Sequence, residues 1–560
     1  MLVGGVAGGL RLRGRRHPPF GVAQDLLGGG APVGVPDRLP RLFLGQRHGP
    51  TGYMIFGNLG RHTGGYPAAP VANHGGERPG NAGLRIVPVM SIDRETHDTP
   101  KGDLRSRFRG PLLRMGDEGY REARAAWNLN AQQWPAAVVV AEDATDVVAA
   151  VRFARAERLG VGVMATGHGT TAPCHGGVLV NTSRMTDVHV DPVLRTARVG
   201  AGARWGDVVR AAAPHRLAGL PGSSSQVGVV GYLMGGGFGW LGRKYGFAAS
   251  SLVQAEVVTA DGEVVQASAH HNADLFWGLK GGSGNFGIVT SAEFALHPVE
   301  NVYAGNLFYP VERARDVLTR YGSWSRSLPD EMMTAVAFRR FPPMPTVPEP
   351  LRGKTFAAVR ACFCGEDLAE GERLVKPLRE ALGEPETDTF AIMPVTDMDS
   401  ISMDPVQPIG AFQHMEMLRD LTPAAIETLV GLGTASPLIM LEARQLGGAL
   451  SGSAAELSPI GHSNARFSLN AVGPTPTPES GRLVRSFLNY LTEAVRPHVT
   501  GTTYLNFLEL DEATPDRVRA AYSPADWARL VDLKYRYDPH NLFRFNRNIP
   551  PAGLAQGGSR

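Results

Sequence analysis

The pattern of apolar positions predicts a β-α-β unit in the first third of the chain. Residues 135–141 (PAAVVVA) are a continuous apolar run that is rich in valine, which is typical of a buried strand. Residues 147–159 then repeat apolar side chains at helical spacing, and Asp143 stands before them as an N-cap. Residues 161–164 (VGVM) predict the next strand. The order indicates an α/β unit with parallel strands.

Further along, shorter alternating segments predict antiparallel strands. Residues 189–202 and 255–265 each indicate a hairpin, and the second contains the favoured Asp-Gly turn. Beyond residue 300 the pattern mixes strands with amphipathic helices, which indicates a second domain of α+β type. The predicted elements there include strands at 438–444 and 465–472 and helices at 368–382 and 423–432.

Two glycine-dense segments interrupt this pattern, at residues 220–246 and 281–287. Glycine weakens an ordinary helix or strand. A segment with this many glycines therefore indicates sharp turns or close approach of the backbone to a flat ligand. A third junction, Thr166-Gly-His-Gly-Thr170, follows the strand at 161–164. Its backbone N–H groups could bind a phosphate, and its glycines leave His168 without local packing partners. We therefore predict that these loops form a cofactor cleft.

Composition limits the possible partners and the compartment. The net charge is +3, but residues 1–89 hold ten arginines against three acidic residues, so the remainder is slightly acidic and does not indicate nucleic-acid binding. Three cysteines make no disulfide framework and favour a reducing, cytoplasmic location. No apolar run reaches the roughly 20 residues of a membrane span. Nor does the sequence contain a histidine or cysteine cluster typical of a metal site.

Residues 1–89 differ from the rest of the chain. Glycine and proline occupy 31 of these 89 positions, above the roughly 25–30% that is typical of low-complexity segments. We interpret residues 1–100 as a disordered N-terminal extension. The alternatives are an overextended start, with translation of the native protein beginning at Met90, and a functional basic arm.

Known nucleotide and hydrolase motifs do not fit. Two G-x-G-x-x-G matches exist, beginning at Gly237 and Gly282, but neither follows a strand and opens a helix as the dinucleotide-binding fingerprint requires. The serine-containing segments at 222–225 and 282–284 lack the G-x-S-x-G elbow.

A set of longer motifs resembles the berberine-bridge-enzyme-like FAD-linked oxidoreductases, whose flavin domain is of the PCMH/vanillyl-alcohol-oxidase type. The resemblance covers residues from about 104 to 300 and from about 500 to 551. The matching segments are ATGHG at 165–169, NTSRM at 181–185, VGAGA at 199–203, VGVVG at 227–231, GGGFGWLGRKYG at 235–246, EVVTADG at 256–262, DLFWGLKGGSGNFGIVT at 274–290, YLN at 504–506 and KYRYDPHNLF at 534–543.

The resemblance implies an α+β fold with a two-part PCMH-type FAD-binding domain and an α+β substrate domain that contains an antiparallel sheet. The implied boundaries are 101–299 for the FAD-binding domain, 300–500 for the substrate-binding domain and 501–553 for a C-terminal segment that returns to the FAD domain.

The resemblance also assigns cofactor-binding residues. His168 stands where the family links the flavin covalently to histidine, and Ser224 stands where bicovalent members carry a second linking cysteine. A single covalent link, or none, is therefore implied. The residues implied in binding the pyrophosphate, the adenine and ribitol side, and the flavin ring are Thr166, Gly167, Gly169, Thr170, Val227, Gly228, Gly231, Gly235, Gly239, Ile288, Asn506, Asn546 and Asn548.

The implied function is FAD-dependent removal of a hydride from a C–H bond next to an alcohol or amine of a small molecule, such as a sugar or secondary metabolite. Electrons would pass to O2 or another acceptor. Tyr504 is the candidate base, although a tyrosine that only packs against the flavin is an alternative. Glu442 and Arg444 could face the substrate or form an exposed ion pair. A nicotinamide-dependent dehydrogenase and a non-catalytic flavin-fold binding protein are the competing functions.

Overall fold

The computed structural model describes residues 104–451, 458–460 and 464–553. Every element described below lies within residues 104–553. The predicted N-terminal extension, residues 1–100, lies outside the described residues.

The first sheet contains the predicted β-α-β unit. Its strands are β1 (Leu112–Leu113), β2 (Ala137–Val140), β3 (Val161–Met164) and β4 (Val178–Asn181), and its helices are α1 (Tyr120–Ala123) and α2 (Ala144–Ala156). The strand order is β1-β2-β4-β3, and β2, β4 and β3 are parallel. The side chain of Asp143 accepts hydrogen bonds from the first-turn N–H groups of α2, which confirms the predicted N-cap.

The second sheet is antiparallel and confirms the two predicted hairpins. Its order is β5-β6-β9-β7-β8. The strands are β5 (Val188–Asp191), β6 (Thr196–Gly200), β7 (Leu252–Val258), β8 (Val264–Ser268) and β9 (Ile288–Ala295), with helices α3 (Trp205–Ala212), α4 (Val229–Met234), α5 (Gly242–Tyr245) and α6 (Ala273–Leu279) around them. The glycine run at 220–246 contains the short helices α4 and α5, separated by glycines with positive φ at Gly236 and Gly237.

The third sheet has eight antiparallel strands and confirms the α+β class. The order is β13-β10-β12-β11-β16-β17-β15, and β14 also pairs with β10. The strands are β10 (Asn301–Pro310), β11 (Met332–Arg340), β12 (Thr355–Phe363), β13 (Thr387–Asp388), β14 (Ala391–Pro394), β15 (Ala411–Leu418), β16 (Met440–Gln445) and β17 (Phe467–Pro474). The helices from here to the end are α7 (Ala314–Trp324), α8 (Leu368–Leu382), α9 (Asp399–Ser402), α10 (Pro423–Thr434), α11 (Pro478–Val495), α12 (Pro515–Arg519) and α13 (Pro524–Tyr537).

The two faces of this sheet have different chemistry. Side chains directly opposite each other on paired strands share a face. Val336 pairs with Val359 on one side and with Ala443 on the other, and all three belong to one apolar core with buried residues of α7, α8, α10 and α11. That core fixes which side of the sheet faces the helices.

The opposite face is polar and turns away from these helices. Arg360 and Arg444 both pair with Ala335, Glu442 pairs with Asn470, and Arg339 lies on the same face of β11. We call this the polar face. Buried polar residues need partners or a ligand, so this side of the sheet indicates a site.

The end of the chain returns to the first two sheets. After α13 the chain runs beside β3, where the N–H of Val161 donates to Leu542 O at 2.8 Å. Lys534 is fully buried, and its ammonium group donates to Asp538, to Phe543 O and to Asn285 O in the second glycine loop. This network fixes the C-terminal segment against the loop. None of the helices in the described ranges is both long and apolar enough to span a bilayer.

Candidate active site

A cavity of about 400 Å³ lies between the first two sheets and the polar face. This volume is within the roughly 300–1,000 Å³ that is usual for small-molecule sites. Its walls come from the loop after β3, both glycine segments, the polar face and the C-terminal segment. The predicted site residues among its lining are Thr166, Gly167, His168, Gly169, Thr170, Ser224, Val227, Gly228, Gly231, Ile288, Arg444, Tyr504, Asn506 and Asn546.

His168 lies in the loop after β3 as a neutral imidazole. Its Nδ1 is 2.8 Å from Thr166 Oγ1, and its ring stacks on Trp127 with the centroids 4.6 Å apart. Burial, and to a lesser degree the charge of Arg204, lowers the pKa of His168 to about 4. Gly167 has a φ of +76°, and a Cβ there would lie 2.6 Å from Ala126 Cα, so glycine is needed for this loop to pack closely.

The same loop has the properties of an anion site. Among the described residues, no protein acceptor receives a backbone hydrogen bond from residues 167–170. Successive N–H groups without acceptors are the usual binding element for phosphate oxygens. This feature fits the pyrophosphate of a dinucleotide cofactor.

Four predicted residues do not line the cavity. A Cβ on Gly235 would lie 1.8 Å from Asn506 Oδ1, and one on Gly239 would lie 1.9 Å from Pro221 O, so these glycines allow protein segments to approach each other. Asn548 lies behind the wall, with a buried Oδ1 that has no partner in the described chain. Glu442, the fourth, contacts arginines rather than the cavity.

Tyr504 is held as a neutral phenol. Asn506 Nδ2 donates to Tyr504 Oη at 3.3 Å and to Tyr232 O at 2.9 Å. Burial raises the pKa of Tyr504, although the amide of Asn506 and the backbone N–H groups of Gly237 and Phe238 favour the phenolate. Burial outweighs these donors, so Tyr504 alone is a weak base at neutral pH.

The exposed-pair alternative for Glu442 and Arg444 is wrong, because the side chains are only 3% and 6% exposed. Glu442 Oε1 accepts from Arg444 Nε at 2.9 Å, and its other oxygen pairs with Arg360. Arg444 faces the cavity and also lies over the ring of Trp240, 4.5 Å from its centroid. Glu442 therefore positions Arg444 from behind the wall.

Sequence reasoning missed four charged residues of the lining: Arg339, Asp404, Glu509 and Arg547. Burial raises the pKa of Glu509 to about 7, and Asn128 Nδ2 donates to its Oε2 at 3.2 Å. Arg547 donates to Leu508 O at 2.9 Å, and burial lowers its pKa to about 10. An acidic residue inside the apolar run at 504–510 was a signal for Glu509, whereas Arg547 had none beyond its place beside two asparagines.

The lining fits FAD. The loop at 167–170 offers unused N–H groups, and glycines at 228 and 231 leave the adjoining wall without side chains. The buried Asn546 Oδ1 and the Tyr232 hydroxyl have no partners in the described chain. Such groups suit a large ligand that carries both donors and acceptors.

Comparisons with known proteins also indicate FAD as the cofactor. Residues 135–268 match the family described as FAD binding domain, and residues 503–550 match the family described as berberine and berberine like. The (R)-6-hydroxynicotine oxidase of Paenarthrobacter nicotinovorans is 26% identical over 474 residues, which cover 80% of this chain and 98% of that protein.

Solved structures show the same fold. The 6-hydroxy-D-nicotine oxidase of Arthrobacter nicotinovorans has a TM-score of 0.70 at 25% identity, covering 79% of this chain and 98% of that one. A chitooligosaccharide oxidase has a TM-score of 0.68 at 21% identity, covering 79% and 97%. The chain is therefore similar to berberine-bridge-enzyme-like, FAD-linked oxidoreductases, and it is an enzyme that binds FAD.

Proposed function

We propose that this enzyme removes a hydride from a C–H bond next to an alcohol or amine of a small molecule. The observation that carries the proposal is the cavity itself, which joins a predicted cofactor loop to a polar sheet face able to bind a substrate. The hydroxynicotine oxidase relative favours an amine or a hydroxylated ring, and the chitooligosaccharide oxidase fold is compatible with a sugar alcohol. When bound, FAD supplies the hydride acceptor.

We also propose that His168 carries a covalent link to FAD. Its pKa of about 4 keeps a nitrogen lone pair free at neutral pH, as bond formation requires. The Trp127 stack and the Thr166 contact fix the ring in the cavity wall. Ser224 lines the cavity but has no thiol, so a second link to it is not expected.

Acid precipitation tests the link directly. Yellow colour should stay in the pellet of the wild-type protein and move to the supernatant with His168→Ala. His175→Ala is the matched control, because His175 is exposed and lies on the same connection between β3 and β4. Retention of the colour in the pellet by His168→Ala would remove His168 from this role.

Two side chains compete for the accompanying proton. Tyr504 is our predicted base, and Asn506 and two backbone N–H groups favour its phenolate. Glu509 is the second candidate, because a carboxyl with a pKa of about 7 is partly ionised at neutral pH and is a better-matched acceptor there. Turnover by Tyr504→Phe and Glu509→Gln separates the two, since replacing the base should cost about 10²–10⁴-fold in kcat/KM.

Substrate screening tests the function as a whole. The holoenzyme is mixed without oxygen with a sugar, an aromatic alcohol and a secondary amine, and loss of the visible flavin absorbance is recorded. Bleaching by one class supports the proposal and identifies that class. A yellow protein that no class bleaches would favour the non-catalytic binder, and a colourless protein that reduces NAD would favour the nicotinamide dehydrogenase.

The electron acceptor and the location complete the proposal. We propose that electrons pass to O2 or to another acceptor, which hydrogen peroxide formation and dye reduction distinguish. The three thiols, at Cys174, Cys362 and Cys364, are buried and unpaired, which supports a cytoplasmic location. Cell fractionation tests that location.

A further inference from the structure

The polar face carries more positive than negative charge where it borders the cavity. Arg339, Arg360 and Arg444 lie on it together with one carboxylate, that of Glu442. All four are buried, and Arg339 and Arg444 line the cavity with 8% and 5% of their surface exposed. A buried cation without a counter-charge costs several kcal/mol, so this surplus requires an explanation.

Glu442 is fully used by two of the three arginines. One of its oxygens pairs with Arg360, and the other accepts from Nε of Arg444 at 2.9 Å and lies 2.8 Å from its Nη2. The guanidinium of Arg360 also donates hydrogen bonds to Ile401 O, Ser402 O and the Asn306 side chain. Nη1 of Arg444 has no protein acceptor among the described residues, and that side chain faces the cavity.

Arg339 has no carboxylate partner of its own. Its Nη2 donates to Ser402 O and Met403 O, both at 3.2 Å, and no acidic side chain in the described chain lies within 4 Å of its guanidinium. Asp404 also lines the cavity but lies beyond this distance. Two backbone carbonyls do not neutralise a guanidinium, and the carboxylates of Asp404 and Glu442 favour its charge only from beyond ion-pair distance, so Arg339 has no directly paired counter-charge at the cavity wall.

We propose that Arg339 and Arg444 bind an anionic group of the substrate, a carboxylate, at the end of the cavity formed by the polar face. Planar guanidinium groups bind carboxylates through paired, charge-assisted hydrogen bonds, which are stronger than neutral ones. Glu442 and the ring of Trp240 hold Arg444 in place, so the anion does not have to order it on binding.

This inference rests on the proposed function and narrows its substrate class. The substrate is a small acid that also contains an oxidisable C–H bond next to an alcohol or amine, such as a uronic acid or a hydroxymethyl- or aminomethyl-benzoic acid. Its neutral sugar, ester or amide counterpart should bind more weakly, because it leaves the two guanidinium groups buried without a counter-charge.

The test compares matched acid and neutral pairs on the holoenzyme. Benzoate and benzamide are titrated by the flavin difference spectrum, and glucuronate and glucose, or 4-(hydroxymethyl)benzoate and its amide, are compared for flavin reduction. The acid of each pair should bind about 10- to 100-fold more tightly. Its advantage should shrink with added salt.

The variants assign the preference to residues. Arg444→Gln and Arg339→Gln should each reduce the acid preference about 10-fold or more, and the lysine variants should keep part of it because the charge remains. Arg243→Gln is the control, since Arg243 is also buried and paired but lies outside the lining. If a glutamine variant loses flavin or unfolds, the acid preference of the lysine variant and of the wild-type enzyme still tests the inference.

Two results would overturn the inference: equal binding of acid and neutral partners by the wild-type enzyme, or an acid preference that both glutamine variants retain. Failure of the proposed function gives a different result. In that case no member of any pair bleaches the flavin, whereas benzoate still perturbs its spectrum more strongly than benzamide.

Discussion

Replacing Glu509 by glutamine should stabilise the folded protein at pH 8 and have little effect at pH 4.5. Burial raises the pKa of this carboxyl from 4.5 to about 7. The folded protein then binds more protons than the unfolded chain between these values, so its stability falls as the pH rises through this window. Glutamine carries no charge, so the variant avoids this loss of stability. The loss reaches its full size once the pH is well above the folded-state pKa of about 7.

The size of the effect follows from the shift. Each pKa unit corresponds to about 1.4 kcal/mol, so a shift from 4.5 to about 7 sets a ceiling of about 3 kcal/mol. Part of the side chain still faces the cavity, where water screens the charge, and we expect about 2 kcal/mol at pH 8. Glutamine keeps the acceptor for the Asn128 amide, so that contact is not lost.

Thermal unfolding of the holoenzyme, followed by circular dichroism at pH 4.5 and pH 8, measures the difference. The variant should melt about 2–4 °C above the wild type at pH 8 and level with it at pH 4.5. Glu349→Gln is the control, because Glu349 is exposed and should show no change at either pH. A Glu509→Gln variant that is less stable at pH 8 would refute the argument, since the ionised carboxylate would then be stabilised by its surroundings.

Three further outcomes are expected. The kcat/KM of the wild type should fall as the pH drops through about 7, because protonated Glu509 cannot accept a proton, and Glu509→Gln should show no such step. Gly235→Ala should give little flavin-loaded protein, because its methyl group would meet Asn506 at 1.8 Å, whereas a Cβ on Gly431, in α10 and outside the lining, has no atom within 4 Å, so Gly431→Ala should load flavin. Lys534→Met should lower the free energy of unfolding, measured in urea, by about 3–5 kcal/mol. The substitution leaves the buried carboxylate of Asp538 without its cationic partner.

Local sequence patterns were sufficient to predict structures that form between segments close together in the chain. The β-α-β unit, the N-cap at Asp143 and the two hairpins depend on residues close together in the chain, and each is present. The sequence did not predict that β4 lies between β2 and β3, because strand order is decided by packing across the sheet.

The site was predicted more completely where it consists of loops than on the sheet face, where Arg444 was a candidate and Arg339 was missed. His168 and the glycines at 228 and 231 lie in segments whose composition differs from that of regular elements, and they line the cavity. Arg339 lies within a strand whose nine residues are almost all buried. Its position on the same face as Arg444 depends on the pairing of β11 with β16, which the pattern of either strand alone does not reveal.

The glycines show a limit of motif transfer. Gly235 and Gly239 belong to a segment that resembles the family, yet a Cβ on either would collide with another part of the chain, at 1.8 Å from Asn506 Oδ1 and 1.9 Å from Pro221 O. A glycine permits close approach without indicating what approaches, and only coordinates distinguish a ligand from another part of the chain.

The position of the C-terminal segment sets an order of events during synthesis. The cavity wall includes Phe543, Phe545, Asn546 and Arg547. The N–H of Val161 in β3 finds its acceptor only when Leu542 is in place. While a ribosome still holds these residues in its exit tunnel, the upstream sheets can fold but the groove between them stays open. Cofactor loading is therefore expected to follow emergence of this segment from the tunnel, and a chain that stops short of the segment should be recovered without flavin.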